Sequence, residues 1–468
     1  MKWLNLLLAP LALCVLHLSP AYGQTKGQEL LDQVQVLDLH TAQCIALSAS
    51  PGISAAQERV AQAQARLRQA VATWWPSLDL SAGGMHQRLS DTSYALNRRI
   101  ATATGQNLDQ SSMHYSTGLQ ATWLLFDGFY RSFNEKRAQL AQQAEEEGLN
   151  DSRRLLAAAV AQVFLQAQLA QTHIDIDHAN RTFYTRLLDN AQRRYEVGVG
   201  PWGDVLNIQV QLNNVKASLL VHQRELQAAE YGLAALLGSS EALLPPHVRL
   251  TPLAKNPERA SLHAMQAQQL IEEAYALRPD VRRIEHRLQE AEALAGMAKA
   301  SLYPRVQLAG ALEGKREDDL PVENADYGNS IGVNMSWNLY AGGADKARMA
   351  EAGHARLEAA YSLAALRNQV ASEIRTSLAQ LAEAEQQLRL QQDTVKLVEK
   401  SRQLAENAYI AGEYALIQLN EAQRDLTTNS SRLAQALVSY QSAQQQLLEA
   451  SGRILESFQA QPHCLQDQ

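Results

Sequence analysis

Proline is missing from two long stretches of this 468-residue chain. None occurs between residues 77 and 200 or between 322 and 461. Within these stretches, residues 129–196 and 344–410 are rich in alanine, glutamine, leucine, glutamate and arginine, which are strong helix formers. Because no proline interrupts them, each is predicted to form one helix of roughly 100 Å. Helices of this length are more often coiled together than packed in a globule.

Long hydrophobic runs and basic clusters are also scarce. A mean hydropathy of -0.28 with 46% hydrophobic residues excludes a bundle of transmembrane helices. The net charge is -7 and no basic run is present, so the sequence gives no support for nucleic-acid binding. His173 and Asp177 share a helical face, but no zinc-binding motif accompanies them. We interpret them as part of a solvated coil face, and we expect no metal, no cofactor and no catalytic residue.

Cysteine is rare, and its use depends on the N-terminal segment. Lys2, an apolar run and Ala21-Tyr22-Gly23 make residues 1–23 a predicted signal peptide, which implies export. Cleavage leaves Cys44 and Cys464. An oxidising compartment permits a disulfide between them. Sequence alone cannot place the two within bonding distance, so we expect unpaired thiols.

The chain repeats itself. Trp75-Pro76 recurs 228 residues later as Tyr303-Pro304. Six further positions recur after 214 residues, so one loop is 14 residues longer in the first copy than in the second. These are Gly118, Trp123, Gly128, Tyr195, Gly198 and Gly238, which match Gly332, Trp337, Gly342, Tyr409, Gly412 and Gly452. The pattern indicates a duplicated helix–hairpin–long helix–helix unit.

Helical and strand periodicities set the boundaries of the two copies. The first repeat covers residues 24–238, with strands at about 77–88 and 113–125 and long helices at about 129–196 and 204–237. A proline-rich linker covers 239–263. The second repeat covers 264–452, with strands at about 305–314 and 329–339 and long helices at about 344–410 and 418–451, and a tail covers 453–468. The chain is therefore predicted to be mainly α with a β part.

The predicted strands fit either of two environments. Each alternates an apolar face with a nearly uncharged polar face, and aromatic residues lie where strands meet helices: Trp75, Trp123, Tyr303 and Trp337. A belt of aromatic residues at the ends of an apolar band is typical of a transmembrane barrel, where these residues lie at the lipid–water boundary. The alternative is a pair of hairpins on a soluble core. In the membrane interpretation several chains must pool strands, because open edges cannot face lipid.

Three motifs make the chain resemble the TolC family of outer-membrane efflux and secretion channels. Trp75-Pro76-Ser77-Leu78 and Tyr303-Pro304-Arg305-Val306 enter the first strand of each repeat, and Leu125-Phe126-Asp127-Gly128 and Leu339-Tyr340-Ala341-Gly342-Gly343 leave the second. Arg194-Tyr195-Glu196-Val197-Gly198 is similar to the family's turn between coiled helices. The resemblance implies a homotrimer with a 12-stranded β-barrel in the outer membrane, continued by an α-helical coiled-coil barrel in the periplasm. It also implies docking onto a periplasmic adaptor and an inner-membrane transporter, in efflux or type I secretion.

The same resemblance implies a gate at the helical turns. Asp204, Tyr409, Gln418 and Glu421 match positions at the pore entrance, and Gly198 and Gly412 match turns that contact the adaptor. Gln418 stands where an aspartate is common, so one acidic ring is expected to be weaker. Asp204 and Glu421 are alternatively ordinary acids at helix starts. A periplasmic coiled-coil scaffold or adaptor without a pore, or a secreted enzyme, accounts for fewer of these features.

Overall fold

The structure is a computed structural model that describes residues 24–105, 109–255, 257, 266–317, 320 and 322–459. Its α-helices are α1 (Gln24–Asp32), α2 (Leu39–Ala49), α3 (Pro51–Ala72), α4 (Asp91–Ala103), α5 (Tyr130–Glu196), α6 (Trp202–Leu236), α7 (Ala267–Leu277), α8 (Pro279–Lys299), α9 (Ala344–Ala411), α10 (Leu416–Ala450) and α11 (Glu456–Gln459). Its strands are β1 (Val36–Leu37), β2 (Ser77–Arg88), β3 (Ser111–Phe126), β4 (Arg249–Leu250), β5 (Arg305–Glu317) and β6 (Tyr327–Ser336). The chain divides into two compact units.

The sheet unit covers Glu58–Glu147 and Asp280–Leu366. Its four antiparallel strands are ordered β2-β3-β5-β6, so the two hairpins lie side by side and pair through β3 and β5. Strands β2 and β6 are the two edges, and every residue of both is exposed. Each edge therefore presents unpaired backbone donors and acceptors within this chain.

Register sorts the sheet residues onto two different faces. Residues directly opposite each other in neighbouring strands lie on the same face. One face carries Leu78, Leu80, Leu119, Ala121, Trp123, Leu308, Ile331 and Val333. The other carries Asp79, Ser81, Gln120, Thr122, Gln307, Ser330 and Asn334. Both hairpins thus share one apolar face, although Leu80 and Ile331 are 82% and 80% exposed in the single chain.

Where β3 leads into α5, a buried ion pair holds the chain. The Asp127 carboxylate accepts hydrogen bonds from the backbone N–H and the Nε of Arg131, each at 3.1 Å. The same guanidinium donates to the carbonyls of Thr73 and Leu125 at 3.3 and 3.2 Å and lies 4.5 Å from the ring centroid of Trp74. Asp127 and Arg131 are only 5% and 4% exposed. One arginine therefore ties α3, β3 and α5 together.

The helical unit comprises the described parts of Met1–Gln57, Gly148–Pro279 and Arg367–Gln468. A cluster around Phe164, Leu37 and Leu233 packs α1 and α2 against α5 and α6. Nearby, buried Arg154 pairs with Asp151 at 2.8 Å and with Glu449 of α10 at 3.1 Å. Among the described helices, only α5 has a stretch apolar enough to cross a membrane, and 44% of that stretch is buried in the chain. Packing against other helices accounts for such a stretch.

Several elements differ from the sequence interpretation. The long polar loop of the first hairpin contains α4, and the predicted linker contains β4, which pairs in parallel with β1. Helices α1, α2 and α7 lie in segments for which no element was predicted. Cys44 is disulfide-bonded, so the expectation of an unpaired thiol is wrong there. Cys464 and the predicted signal peptide lie outside the described residues.

Candidate functional site

The turn between α5 and α6 is closed by hydrogen bonds around Gly198. This glycine has φ 76°, a left-handed conformation that other residues adopt only at a cost. Its N–H donates to the carbonyl of Tyr195 at 2.9 Å, and the N–H of Val199 donates to that of Arg194 at 2.9 Å. This pair of bonds is a Schellman motif, which satisfies the last carbonyls of a helix. The helix therefore ends at a fixed place, and α6 begins directly after Pro201.

The turn between α9 and α10 has the same construction. Gly412 has φ 81°, its N–H donates to the carbonyl of Tyr409 at 3.1 Å, and the N–H of Glu413 donates to that of Ala408 at 2.9 Å. Where the first turn has a proline, the second has Ala415. Thus the recurring glycines of the sequence correspond to recurring turns of the backbone.

The ends of the four long helices pack on one buried cluster next to these turns. It consists of Phe183, Tyr184, Leu187, Ala191, Val205, Ile208, Leu212, Val215, Ala405, Tyr409, Leu416 and Leu419. Burying such side chains stabilises by roughly 1.5–3 kcal/mol each for the larger ones. The cluster draws residues from α5, α6, α9 and α10, so both turns are held at one end of the helical unit.

Tyr409 connects the two turns. It is 9% exposed, and the guanidinium carbon of Arg194 lies 5.4 Å from its ring centroid. Burial raises the pKa of Tyr409, the nearby Asp204 raises it further, and Arg194 opposes both effects. The structure therefore brings Asp204 and Tyr409, which the family resemblance selected, together with Arg194. Arg194 belongs to the motif of the first turn, but its repeat counterpart is Ala408, so the duplication does not indicate a role for it.

The other two selected residues, both on α10, are exposed. Glu421 has an exposed side chain. The Oε1 of Gln418 accepts a hydrogen bond from the N–H of Ala415 at 3.0 Å, which satisfies one of the free donors at the start of α10. Glutamine at this position therefore has a helix-capping role that the comparison with an expected aspartate did not suggest.

The four selected aromatic residues lie at the helix-proximal end of the sheet. Trp75 and Tyr303 immediately precede Pro76 and Pro304, and they are 74% and 48% exposed. Trp123 donates its indole N–H to the carbonyl of Trp74 at 2.9 Å. In the second repeat, Trp337 donates to the carbonyl of Leu302 at 3.2 Å. Each repeat therefore ties a tryptophan at the end of its hairpin to the segment just before the hairpin, while the tryptophan stays exposed.

The segment His173–His178 is more buried than its interpretation as a solvated face allows. Ile174 and Asp177 are 6% and 5% exposed, and His173 is half-buried. Burial lowers the pKa of His173, helped by neighbouring His222 and opposed by Glu225 and Asp177. These residues lie between α5 and α6, away from the turns along both helices.

Comparison with known proteins assigns the chain to a family. The family profile described as "Outer membrane efflux protein" matches residues 45–239 and 270–453, which covers both repeats. The chain belongs to the outer membrane efflux protein family. It is 22% identical to Nodulation protein T of Rhizobium leguminosarum bv. trifolii over 84% of this chain and 80% of that protein. It is also 22% identical to Outer membrane protein TolC of Vibrio cholerae, over 81% and 83% of the two chains.

A solved structure shows the same fold. The Campylobacter jejuni CmeC outer membrane channel superposes with a TM-score of 0.77 at 15% identity, over 92% of this chain and 90% of that one. Membership of this TolC-like family confirms the resemblance. The protein is an efflux or secretion channel of the outer membrane, with its helical part in the periplasm, and it is not an enzyme. The pore-free scaffold is therefore the wrong alternative.

Proposed function

We propose that three copies of this chain form one pore, in which each contributes four strands to a 12-stranded β-barrel. The main support for this proposal is the four-stranded sheet, which has one continuous apolar face and two open edges, β2 and β6. Unpaired backbone groups cost several kcal/mol each in lipid, so a sheet with free edges is not stable there. Pairing β6 of one copy with β2 of the next removes every edge and turns the apolar face to lipid.

Two adjacent residues of β6 test this arrangement. Val333 lies on the apolar face and Asn334 on the polar one. In the barrel, Val333→Lys places a charge in lipid at a cost of about 2–4 kcal/mol near the midplane, whereas Asn334→Lys faces the water-filled pore. We expect much less heat-modifiable trimer in outer-membrane extracts for Val333→Lys and a normal amount for Asn334→Lys. Equal amounts of trimer from both variants, or a purified membrane-inserted monomer in native mass spectrometry, would contradict the barrel.

The trimer is the passive exit duct of a tripartite efflux pump or type I secretion system. Its helical unit faces the periplasm, so the turns at Gly198 and Gly412 are the surfaces offered to a periplasmic adaptor and an inner-membrane transporter. Family membership supports partners of these kinds. The fixed, hydrogen-bonded turns support a docking role, because a rigid surface loses little conformational entropy on binding.

Asp204 and Glu421 form acidic rings at the entrance of this duct. Threefold repetition brings like charges together, which attracts cations and favours a gate that a partner opens. Asp204 lies near enough to Tyr409 to raise its pKa, whereas Gln418 caps α10 and adds no charge.

Single-channel recording in planar bilayers tests the acidic rings. We expect the Asp204→Asn/Glu421→Gln double variant to lose cation preference and sensitivity to trivalent cations. The exposed Glu399→Gln on α9 serves as the control for a change in net charge. Unchanged selectivity in the double variant would leave Asp204 as a helix-start acid, which contributes about 0.3–1 kcal/mol, and Glu421 as an exposed residue of α10 beyond its first turn.

A further inference from the structure

Three side chains that the proposed duct does not use lie together between α5 and α6. They are His173 of α5 and His222 and Glu225 of α6. One possible ligand atom from each lies within 4.8 Å of the others. The two imidazole rings have centroids 4.8 Å apart and are tilted by 48°. Because His222 and Glu225 are three residues apart on one helix, both project toward the same side.

A buried carboxylate orients one of these histidines. Nδ1 of His222 lies 2.7 Å from Oδ2 of Asp177, which is one helical turn after His173 and only 5% exposed. With its proton on Nδ1 and directed to this carboxylate, neutral His222 has a lone pair on Nε2. A carboxylate behind a histidine in this way is the usual support for a metal-binding imidazole, because it fixes the ring and raises its basicity.

The second histidine has a nitrogen that is not satisfied. Nε2 of His173 is buried and has no hydrogen-bond partner among the described residues. Leaving a buried polar atom unpaired costs free energy that folding normally avoids. His173 and Glu225 also line one groove between the helices, which gives a small ion a route from solvent. A bound cation would satisfy the orphaned nitrogen.

We propose that His173, His222 and Glu225 bind a divalent transition-metal cation of the zinc type, with Asp177 as the residue that positions His222. Two imidazoles and one carboxylate suit zinc and its neighbours, whereas magnesium and calcium require mainly oxygen ligands. Zinc bonds of about 2.0–2.2 Å place tetrahedral ligand atoms about 3.3 Å apart, so ligand atoms that are now up to 4.8 Å apart must approach by about 1.5 Å. Glu225 is exposed and free to turn inward.

A cation at this place would cross-link α5 and α6 in the middle of the helical unit. Without metal, the Asp177–His222 contact already joins the two helices, which is the simpler role for the same residues. The two accounts differ in stoichiometric metal binding. They also differ at Glu225, which the simpler role does not need.

The test is calorimetric titration of Zn²⁺ into the purified full-length protein in detergent, after treatment with a chelator. We expect one Zn²⁺ per chain, and Co²⁺ should give the absorption bands of a four-coordinate nitrogen–oxygen site. Asp177→Asn should weaken binding by about 10–100-fold. His222→Gln and Glu225→Gln should weaken it further, and His354→Gln, an exposed histidine on α9, should not change it.

Glu225→Gln guards against a folding artefact, because an exposed side chain can change without loss of helix content by circular dichroism. Absence of stoichiometric Zn²⁺ binding to the unchanged protein would overturn the site. Binding that survives in Glu225→Gln and His222→Gln, or that falls equally in His354→Gln, would overturn it as well.

Discussion

The ion pair between Asp127 and Arg131 offers a sharp test of what holds the sheet to its helix. Asp127→Asn keeps the shape of the side chain and removes its charge. The Asn oxygen can still accept from Arg131, but the guanidinium, 4% exposed, then has only neutral partners, among them the carbonyls of Thr73 and Leu125 at 3.3 and 3.2 Å. The substitution therefore leaves a buried cation without its counter-charge.

Asp127→Asn should lower the free energy of unfolding by a large amount, because Asp127 and Arg131 are both buried. Removing one member of a buried ion pair costs about 3–5 kcal/mol, mostly from the uncompensated charge. The chain supplies its own control in the second repeat, where Ala341 and Asp345 occupy the corresponding positions. Asp345 instead pairs at 3.3 Å with Arg348, whose side chain is 65% exposed. Asp345→Asn should therefore cost only about 0.2–1 kcal/mol.

Urea unfolding of the reconstituted protein, compared at one protomer concentration, measures both losses. A double-mutant cycle with Asp127→Asn, Arg131→Met and the double variant measures the interaction between the two side chains. We expect a coupling free energy of about 1–3 kcal/mol. A loss in Asp127→Asn no greater than that in Asp345→Asn would refute the assignment. Additive effects in the double variant would do the same.

Three further outcomes follow from the described residues. Gly198→Ala and Gly412→Ala should each lower the free energy of unfolding in urea by about 1–2 kcal/mol. An added Cβ meets no atom at either position, but alanine is strained in the left-handed backbone conformation. Gly353→Ala inside α9 should instead raise the free energy of unfolding by about 0.5–1 kcal/mol. Burial raises the pKa of Glu230, so the folded state holds its proton to higher pH and stability falls as pH rises through that range. Glu230→Gln should thus unfold at higher urea than the parent at neutral pH, with no difference once pH is below the ordinary glutamate pKa; a constant difference would argue against this. An epitope inserted beside Gly105, just after exposed α4, should be labelled on intact cells, and labelling only after permeabilisation would reverse the topology.

Local sequence patterns are sufficient for the long helices and the strands of the two hairpins. A strand predicted at 77–88 runs from Ser77 to Arg88, and a helix predicted at 344–410 runs from Ala344 to Ala411. Periodicity and missing proline mark such segments directly. Helix α4 is not predicted, because it lies in a loop rich in polar residues and none of its residues is buried. The pairing of β3 with β5 was also out of reach, because it joins segments far apart in the chain.

The candidate sites show the same division between local and distant information. The glycines of both turns are visible in the sequence because the turn is a local structure. The contact of Arg194 with Tyr409 and that of His173 with His222 cross between helices, so residue spacing within one helix does not indicate them. The family resemblance predicts an aspartate at position 418 and so treats Gln418 as a missing charge. The hydrogen bond from the N–H of Ala415 shows that Gln418 caps the start of α10.

The open edges at β2 and β6 have a genetic consequence. In the proposed trimer each edge strand pairs with an edge strand of another copy. A chain in which one edge cannot pair therefore prevents closure of every barrel that contains it. If normal and blocked chains are made in equal amounts and mix at random, only about one trimer in eight is free of the blocked chain. A defect confined to either edge should therefore be dominant, whereas a chain that fails before its strands form should be recessive.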